Sequence, residues 1–495
     1  MTRAVVLGGG FGGVLAAAVL ARYVDDVTLV EGGRYPASPG PRPGLPQAYH
    51  SHVLVTAGAC ALDALLPGTV DALLRHGAHR RGMPGDALIF SAEGWFRRHD
   101  TGAYLVSCSR WLTDFVVRGR ALAAGTVSVR ESTQVLGLVG DASRVTGVVV
   151  RRADGGTESL RADLVVDATG RRSRAGQWLA GIGAADVEET TVDPGLAYST
   201  RVYRAPADLA AAIPAVMIHP RPEPGRPCHG ATLFPIEDGQ WIVTLTGTRG
   251  EQPPVDEAGF VASASALRSP VVAELLAEAE PVGGVRPFRG TANRRRFYER
   301  GSRPVGFLVL GDALMAVNPV YSHGMSVAAM SVLRLADELD RRGPDPSAFP
   351  QLQLVMAEVA DRSWRMATDQ ERSANPGGAA RQPSPIEREI RSRMARRVLY
   401  DPRLMTELFR AQTLISSNPV VDASVLAGAS GTEERPLTAD EAIAQYPGLS
   451  EWWSSRGRAV APGCRPAPPG HRPAAPGTAD RSTVAKQAAL VGRQS

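Results

Sequence analysis

The sequence predicts an α/β fold in which a dinucleotide-binding domain is interleaved with a mixed β-sheet domain and followed by a C-terminal helical region. Three observations predict it. A strand, glycine turn, helix and second strand fill residues 3 to 31; two later apolar strands, ending near Asp167 and Gly311, again run into glycine turns; and between those two the pattern changes to long amphipathic strands. The boundaries follow: a discontinuous cofactor domain at 1–190 and 285–342 with a small strand insert at about 80–108, a substrate sheet at 191–284, helices at 343–458, and a disordered tail at 459–495.

The first unit runs from Arg3-Ala-Val-Val-Leu7 through Gly8-Gly9-Gly10-Phe11-Gly12-Gly13 to Val27-Thr-Leu-Val-Glu31. Gly8 permits a tight turn, Gly10 lets the backbone approach a pyrophosphate, and Gly13 lets the helix pack closely on the strand. Free N–H groups at the helix start then face the phosphates, and Glu31 stands where a carboxylate accepts the hydroxyls of an adenosine ribose. A glycine spacing alone is a weak signal. Here the strand before it, the helix after it and the acid at the right distance agree, so the unit reads as Rossmann-like. A cleaved signal peptide is the competing reading of the same apolar run, and its five glycines and the strand that follows argue against it.

Composition narrows the class. The chain has 495 residues, 44% of them hydrophobic, enough for more than one domain, and no stretch is apolar and long enough to span a membrane. Cys60, Cys108, Cys228 and Cys464 are scattered with no C-x-x-C pair, which suggests neither a zinc site nor a disulfide framework and points to the cytoplasm. The net charge of +5 comes from arginines spread among nearly as many acids, with Lys486 the sole lysine, so no nucleic-acid surface is expected. The local clusters Arg294 to Arg296 and Arg391 to Arg397 read as solvated faces or loops.

Gly32 to Pro46 is too rich in breakers for regular structure, and it leads through Arg42 to His50-Ser-His52, then to a helical pattern from Val53 to Leu66. Two histidines at i and i+2 do not share a helix face, so a loop leaning over a cofactor is expected rather than a metal pair. Ala87 to Ser91 and Ala103 to Cys108 look like strands paired across Glu93-Gly94-Trp95, and Arg110 opens a helix to Ala123 on the side of the sheet where ligands gather. Val127 to Val129, Gln134 to Val139, Val145 to Arg151 and Glu158 to Leu160 read as short strands before the buried strand ending at Asp167-Ala-Thr-Gly170. Gly195 to Tyr203, Ala215 to His219, Ala231 to Pro235 and Gln240 to Thr248 suit a sheet with one dry face and one facing a cavity, and a helical segment follows within Pro253 to Ala279. Gly311-Asp312 then puts a carboxylate at a strand tip, and Gly324 opens the helix through Leu339. Helices follow, broken by a loop at Asn375 to Pro385.

Taken together, the Gly8 to Gly13 turn with Glu31, the Asp167 to Gly170 turn, and Gly311-Asp312 with Pro319 and Gly324 resemble the FAD-dependent monooxygenases of the para-hydroxybenzoate hydroxylase fold. Arg42-Pro-Gly-Leu-Pro-Gln-Ala-Tyr-His-Ser-His52, Pro235 to Val243, Ala292-Asn-Arg-Arg295 and Asn318 to Ser326 look most like the flavin epoxidases of polyether antibiotic pathways, of the lasalocid and monensin type. The resemblance covers Arg3 to Leu339 and continues more weakly to Pro419. It implies that Gly8, Gly10, Phe11, Gly12 and Gly13 line the FAD pyrophosphate, Glu31 the adenosine ribose, Arg42 and Arg110 the phosphate and ribityl region, and Val135 the adenine through its backbone. It also implies that Asp312 holds ribityl or pyrophosphate groups and that Pro319, Gly324 and Met325 border the flavin ring. Ser322 departs from the glycine of those relatives.

The activity implied is insertion of one oxygen atom from O2 through a flavin C4a-hydroperoxide, as an epoxidation of alkenes in a polyketide or terpenoid intermediate of secondary metabolism. The cofactor would carry the chemistry, with NAD(P)H as direct or indirect electron source, or a separate flavin reductase as partner. Such an epoxidation needs no catalytic base, and no catalytic residue is assigned; Tyr321, His323 and His50 are the candidates for proton transfer or positioning. A phenol hydroxylase on the same fold is the alternative, and a non-catalytic flavin-binding protein a further one. Halogenation through a pocket lysine is disfavoured, because Lys486 lies in the tail.

Overall fold

The structure is a computed structural model that describes residues 2–42, 44–210, 213–221, 228–248, 252–374, 384–416 and 435–456. Most of the expected loop at Asn375 to Pro385, and the tail with Lys486, lie outside the described residues. A five-stranded parallel sheet forms the base of the site, in the order Phe307–Val309, Leu164–Asp167, Arg3–Leu7, Asp26–Val30, Val127–Arg130. Its inner strands are continuous apolar runs, because helices cover both faces and no side of the strand meets water. The helices Phe11–Leu20 and Gly324–Arg342 pack there, and their buried alanines let them approach closely.

Above it stands a six-stranded sheet in the order Glu280–Phe288, Ala197–Arg204, Gln240–Gly247, His229–Ile236, Ala215–Ile218, Ala87–Phe90. All neighbours are antiparallel except the last pair, which is parallel. Strand alternation gives the sheet two characters. On one face Tyr203, Trp241, Val243 and Leu245 pack on the helices Glu257–Ser265 and Val271–Glu278 and on Trp452 and Trp453. On the other face Val202, Phe234 and Ile242 pack against Phe96, Leu399 and Phe409, while Tyr198, Thr200 and Thr244 on the neighbouring positions carry hydroxyls.

The late helices do not cluster together. Phe349–Ala374 joins the core of the parallel sheet, Pro402–Gln412 covers the second face of the six-stranded sheet, and Ala439–Ala444 with Pro447–Ser454 lies on its first face.

Three sequence expectations are corrected. Val53–Val55 is a strand paired with Leu105–Ser107, and the helix begins only at Thr56, since the β-branched Val53 and Val55 favour the ladder. Ala87–Phe90 and Tyr104–Ser107 do not pair with each other: the former joins Ala215–Ile218 and the latter joins Val53–Val55 and His79–Gly82. Ala87, Leu88 and Ile89 are all buried, which calls for cover on both faces, and a local hairpin lacks it. The arginine cluster at 294 to 296 is no solvated face. Arg295 is fully buried, paired with Glu299 and Asp361, and Arg296 pairs with Glu189.

The Tyr446 hydroxyl donates toward the carbonyls of Pro84 (2.8 Å) and Ala87 (2.7 Å), tying the last helices to the edge strand. Tyr446→Phe is expected to cost about 1–3 kcal/mol by leaving these acceptors unsatisfied, read as a lowered denaturation midpoint with flavin content unchanged.

Candidate cofactor and substrate site

The glycine turn is shaped by close approach. Gly8 has φ +91°, and a Cβ there would lie 2.7 Å from the Ala168 carbonyl oxygen; a Cβ on Gly13 would lie 1.8 Å from the Gly8 carbonyl oxygen. The turn after Asp167 is thus pressed against the first glycine. Asp167 is buried, which raises its carboxyl, and it accepts from the Thr169 N–H (2.9 Å) and from the hydroxyls of Thr169 and Ser173, which oppose that shift only in part. The third motif meets the helix Phe11–Leu20, where a Cβ on Gly12 would touch Leu310, and within that motif a Cβ on Gly324, which opens the helix Gly324–Arg342, would lie 3.4 Å from Asp312.

Gly10 differs from its neighbours. It is the extended N-cap of the helix Phe11–Leu20, no side chain caps that helix, and a Cβ at Gly10 would meet nothing within 4 Å. The helix start therefore opens on a cleft lined by Gly9, Gly10, Phe11, Arg42, Asp114 and Arg118. Two buried polar atoms there have no partner among the described residues, Arg42 Nε and Asp114 Oδ2. Uncapped N–H groups, two guanidiniums and open space above a glycine fit a diphosphate.

Glu31 stands at the expected place. Its Oε2 accepts from the Gly9 N–H (2.8 Å) and Arg42 Nη2 (3.1 Å), and its Oε1 accepts from the Gly33 N–H (2.8 Å). With about four lone-pair sites on a carboxylate, a second ribose hydroxyl requires Arg42 to move from Glu31 to a phosphate. Arg42 Nη1 and the Tyr35 hydroxyl both donate to the Gly9 carbonyl, at 3.0 and 2.9 Å, and the Arg42 and Arg118 guanidiniums both lie over the Tyr35 ring, 5.0 and 4.5 Å from its centre. Val135 follows Thr133, whose N–H bonds the Glu31 carbonyl, so it sits beside the ribose end.

Arg110 is buried beside the Phe11 ring and donates to Asp114 at 2.7 Å. Burial raises the Asp312 carboxyl, and the charges of Arg171, Arg110 and Arg294 oppose that shift. Pro319 opens a single 3-10 turn, Ser322 is left-handed at φ +57°, and Gly324 and Met325 begin the long helix. Sequence reasoning missed Tyr35, Asp114 and Arg118. The spacing Arg110, Asp114, Arg118 is a signal in plain view, since residues four apart share one helix face.

The family model described as FAD binding domain matches residues 1–341. The chain belongs to this FAD-binding family. Its fold is the FAD-binding fold of the hydroxybenzoate hydroxylase type. The Mycobacterium tuberculosis protein Rv3254 is 30% identical over 355 residues, 69% of this chain and 73% of that protein. Among solved structures, the flavin-dependent brominase Bmp2 matches at TM-score 0.63 and 16% identity, covering 86% of this chain and 99% of the brominase. The p-nitrophenol 4-monooxygenase PnpA of Pseudomonas putida matches at TM-score 0.58 and 18% identity, over 83% and 99%. PqsL of Pseudomonas aeruginosa, described as a probable FAD-dependent monooxygenase, matches at TM-score 0.57 and 18% identity, over 75% and 96%. No single described helix is long and apolar enough to cross a membrane.

The three candidate catalytic residues lie around this FAD-binding lobe with protein partners of their own. His323 is buried; its Nε2–H donates to the Gln412 carbonyl and its Nδ1 accepts from the Ser363 hydroxyl, both at 2.9 Å. The Tyr321 hydroxyl donates to the Ala367 carbonyl at 3.1 Å. His50 Nδ1 meets the Thr200 hydroxyl at 2.8 Å, and its ring packs on Phe288. Burial holds His50 and His323 each down to about 4.

Two outcomes follow. Gly10→Val is expected to fold, since its side chain enters open space, and to lose FAD, whereas Gly13→Ala should lose the fold as well; flavin content and circular dichroism of the purified variants separate the two. For His50 and His323 the folded value lies below the unfolded 6.5, so the unfolded chain takes up protons first as pH falls. Their stabilisation is complete above pH 6.5 and is lost toward pH 4. Urea unfolding at pH 7 and pH 5 should differ by about 2 kcal/mol per histidine, and His323→Gln should remove about one such share.

Proposed function

We propose that this protein is a flavin-dependent monooxygenase that epoxidises an alkene of an apolar polyketide or terpenoid intermediate. The observation that carries the reading is the uncapped helix start at Gly10, opening beside Arg42 and Arg118, in a fold whose His50 and His323 are held neutral by burial. Bound FAD supplies activated oxygen from O2 once reduced by NAD(P)H or by a partner reductase. The chain's own residues then bind, orient and exclude water. The helix start, Arg42 and Arg118 hold the diphosphate, Glu31 the ribose, and Asp312 with Arg110 the ribityl side. Oxygen transfer to an alkene asks for no base, in keeping with His323 and Tyr321 being spent on protein partners.

Hydroxylation of a phenol is the second reading, favoured by one feature, the hydroxyls of Thr200 and Thr244 beside His50. Product mass settles the choice. The holoprotein with a flavin reductase and a mixed panel of polyene esters, prenylated compounds and phenols is expected to add one oxygen to an alkene, giving a product that opens to a diol in acid. Oxygen added only to phenols would move the protein to the hydroxylases, and bound FAD that resists reduction would make it a non-catalytic binder.

A further inference from the structure

A line of four side chains crosses the polar part of the six-stranded sheet. Ser51 Oγ meets Thr244 Oγ1 at 2.8 Å, Thr244 Oγ1 meets Thr200 Oγ1 at 2.8 Å, and Thr200 Oγ1 meets His50 Nδ1 at 2.8 Å. Thr200 and Thr244 are direct cross-strand partners, and His50, Thr200 and Thr244 are all buried. The line is joined to the expected flavin-ring loop: His50 packs on Phe288, Phe288 on Tyr198, and the Tyr198 hydroxyl bonds Asn318 next to Pro319. It therefore connects the His50 to His52 loop, which supplies both of its ends, with the Asn318 to Tyr321 loop.

Each hydroxyl in the line has one proton to donate and two lone pairs to accept with, so none donates twice. If His50 carries its proton on Nδ1, the line can run from His50 through Thr200 and Thr244 to Ser51, and the Ser51 hydroxyl is then free to donate outward. If the proton is on Nε2, every bond reverses and the Ser51 oxygen accepts from outside. Among the described residues, Ser51 Oγ has no other partner than Thr244, and His50 Nε2 has none, so neither end is locked. His50 stays neutral, which keeps one proton on the ring for either arrangement.

We infer that Ser51, Thr244, Thr200 and His50 form a reversible polar anchor for substrate, taking one neutral oxygen, hydroxyl or carbonyl, of an otherwise apolar molecule. The line carries no charge, so a carboxylate or an ammonium group has no counterpart in it. Ser51 is the contact and specificity residue; Thr244, Thr200 and His50 are positioning residues that set whether it donates or accepts. The inference rests on the monooxygenase reading only for the claim that substrate enters beside these loops.

The test is the tautomer of His50 in full-length holoprotein labelled with 15N-histidine, read as which ring nitrogen carries the proton. Saturating 4-propylcyclohexanone, an acceptor only, should draw the Ser51 proton outward and shift His50 toward the Nδ1–H form, whereas saturating 4-propylphenol, which can donate to the Ser51 oxygen, should leave more of the Nε2–H form. Thr244→Val, close in shape but without the hydroxyl, should abolish both responses with FAD content unchanged, and Ser51→Ala should do the same. The same tautomer with both probes, no response to either, or a response that survives Thr244→Val overturns the anchor. Loss of FAD from the wild-type chain would instead overturn the flavin reading, so the two failures are distinct.

Discussion

The contact on which the site depends is that of Gly13 with the carbonyl of Gly8. At that distance no side chain fits, and the helix Phe11–Leu20 is drawn down onto the first strand and onto the turn after Asp167. Its uncapped start is thereby aimed into the cleft beside Arg42 and Arg118. A helix one methyl group further away would leave the positive end of its dipole displaced from the ligand and the Ala168 turn unsupported. The approach of Leu310 to Gly12 shows the third strand relying on the same economy of side chains.

Charge at the cleft is arranged in pairs that leave a remainder. Arg42 is held by Glu31 and Arg110 by Asp114, all with side chains less than an eighth exposed. Buried pairs of this kind contribute little net stability, because desolvation offsets most of the attraction, but breaking one without a substitute is costly. The unpartnered Arg42 Nε is a donor that an anionic diphosphate would satisfy, releasing Glu31 to a ribose as Arg42 turned to it, whereas the unpartnered Asp114 Oδ2 is an acceptor that calls for a donor instead.

The six-stranded sheet joins the lobes by having two unlike faces. One is closed by helices and tryptophans from both ends of the chain's second half; the other is apolar where Pro402–Gln412 covers it and hydroxyl-bearing where the His50 and Asn318 loops approach. The ladder between Ala197–Arg204 and Gln240–Gly247 sets Thr200 directly opposite Thr244. That ordering lets short side chains act together across two strands.

Much of this was legible in the chain itself, because it depends on neighbours in sequence. The glycine turn, Glu31, the apolar strand at Asp167, the Gly311-Asp312 tip and the alternation of the substrate strands are local patterns, and the structure shows each as an element at or near its expected bounds. Arg110, Asp114 and Arg118 were equally local and could have been read from their spacing. What sequence could not supply was partner choice. Ala87–Phe90 is an apolar strand whichever sheet it joins, and only the packing of the lobes sends it to Ala215–Ile218 rather than to Tyr104–Ser107. Arg295 looks like surface until Glu299 and Asp361 close over it. Thr200 and Thr244, 44 residues apart, become one hydrogen-bonded line with His50 and Ser51 only when two strands align and a distant loop settles on them. The sequence by itself determined most of the strands, turns and helices, Val53–Val55 excepted, and where the dinucleotide chemistry would sit, since backbone sterics and periodicity are local; the tertiary structure alone decided which charges are buried and which hydroxyls meet, because those depend on what the rest of the chain brings to the same place.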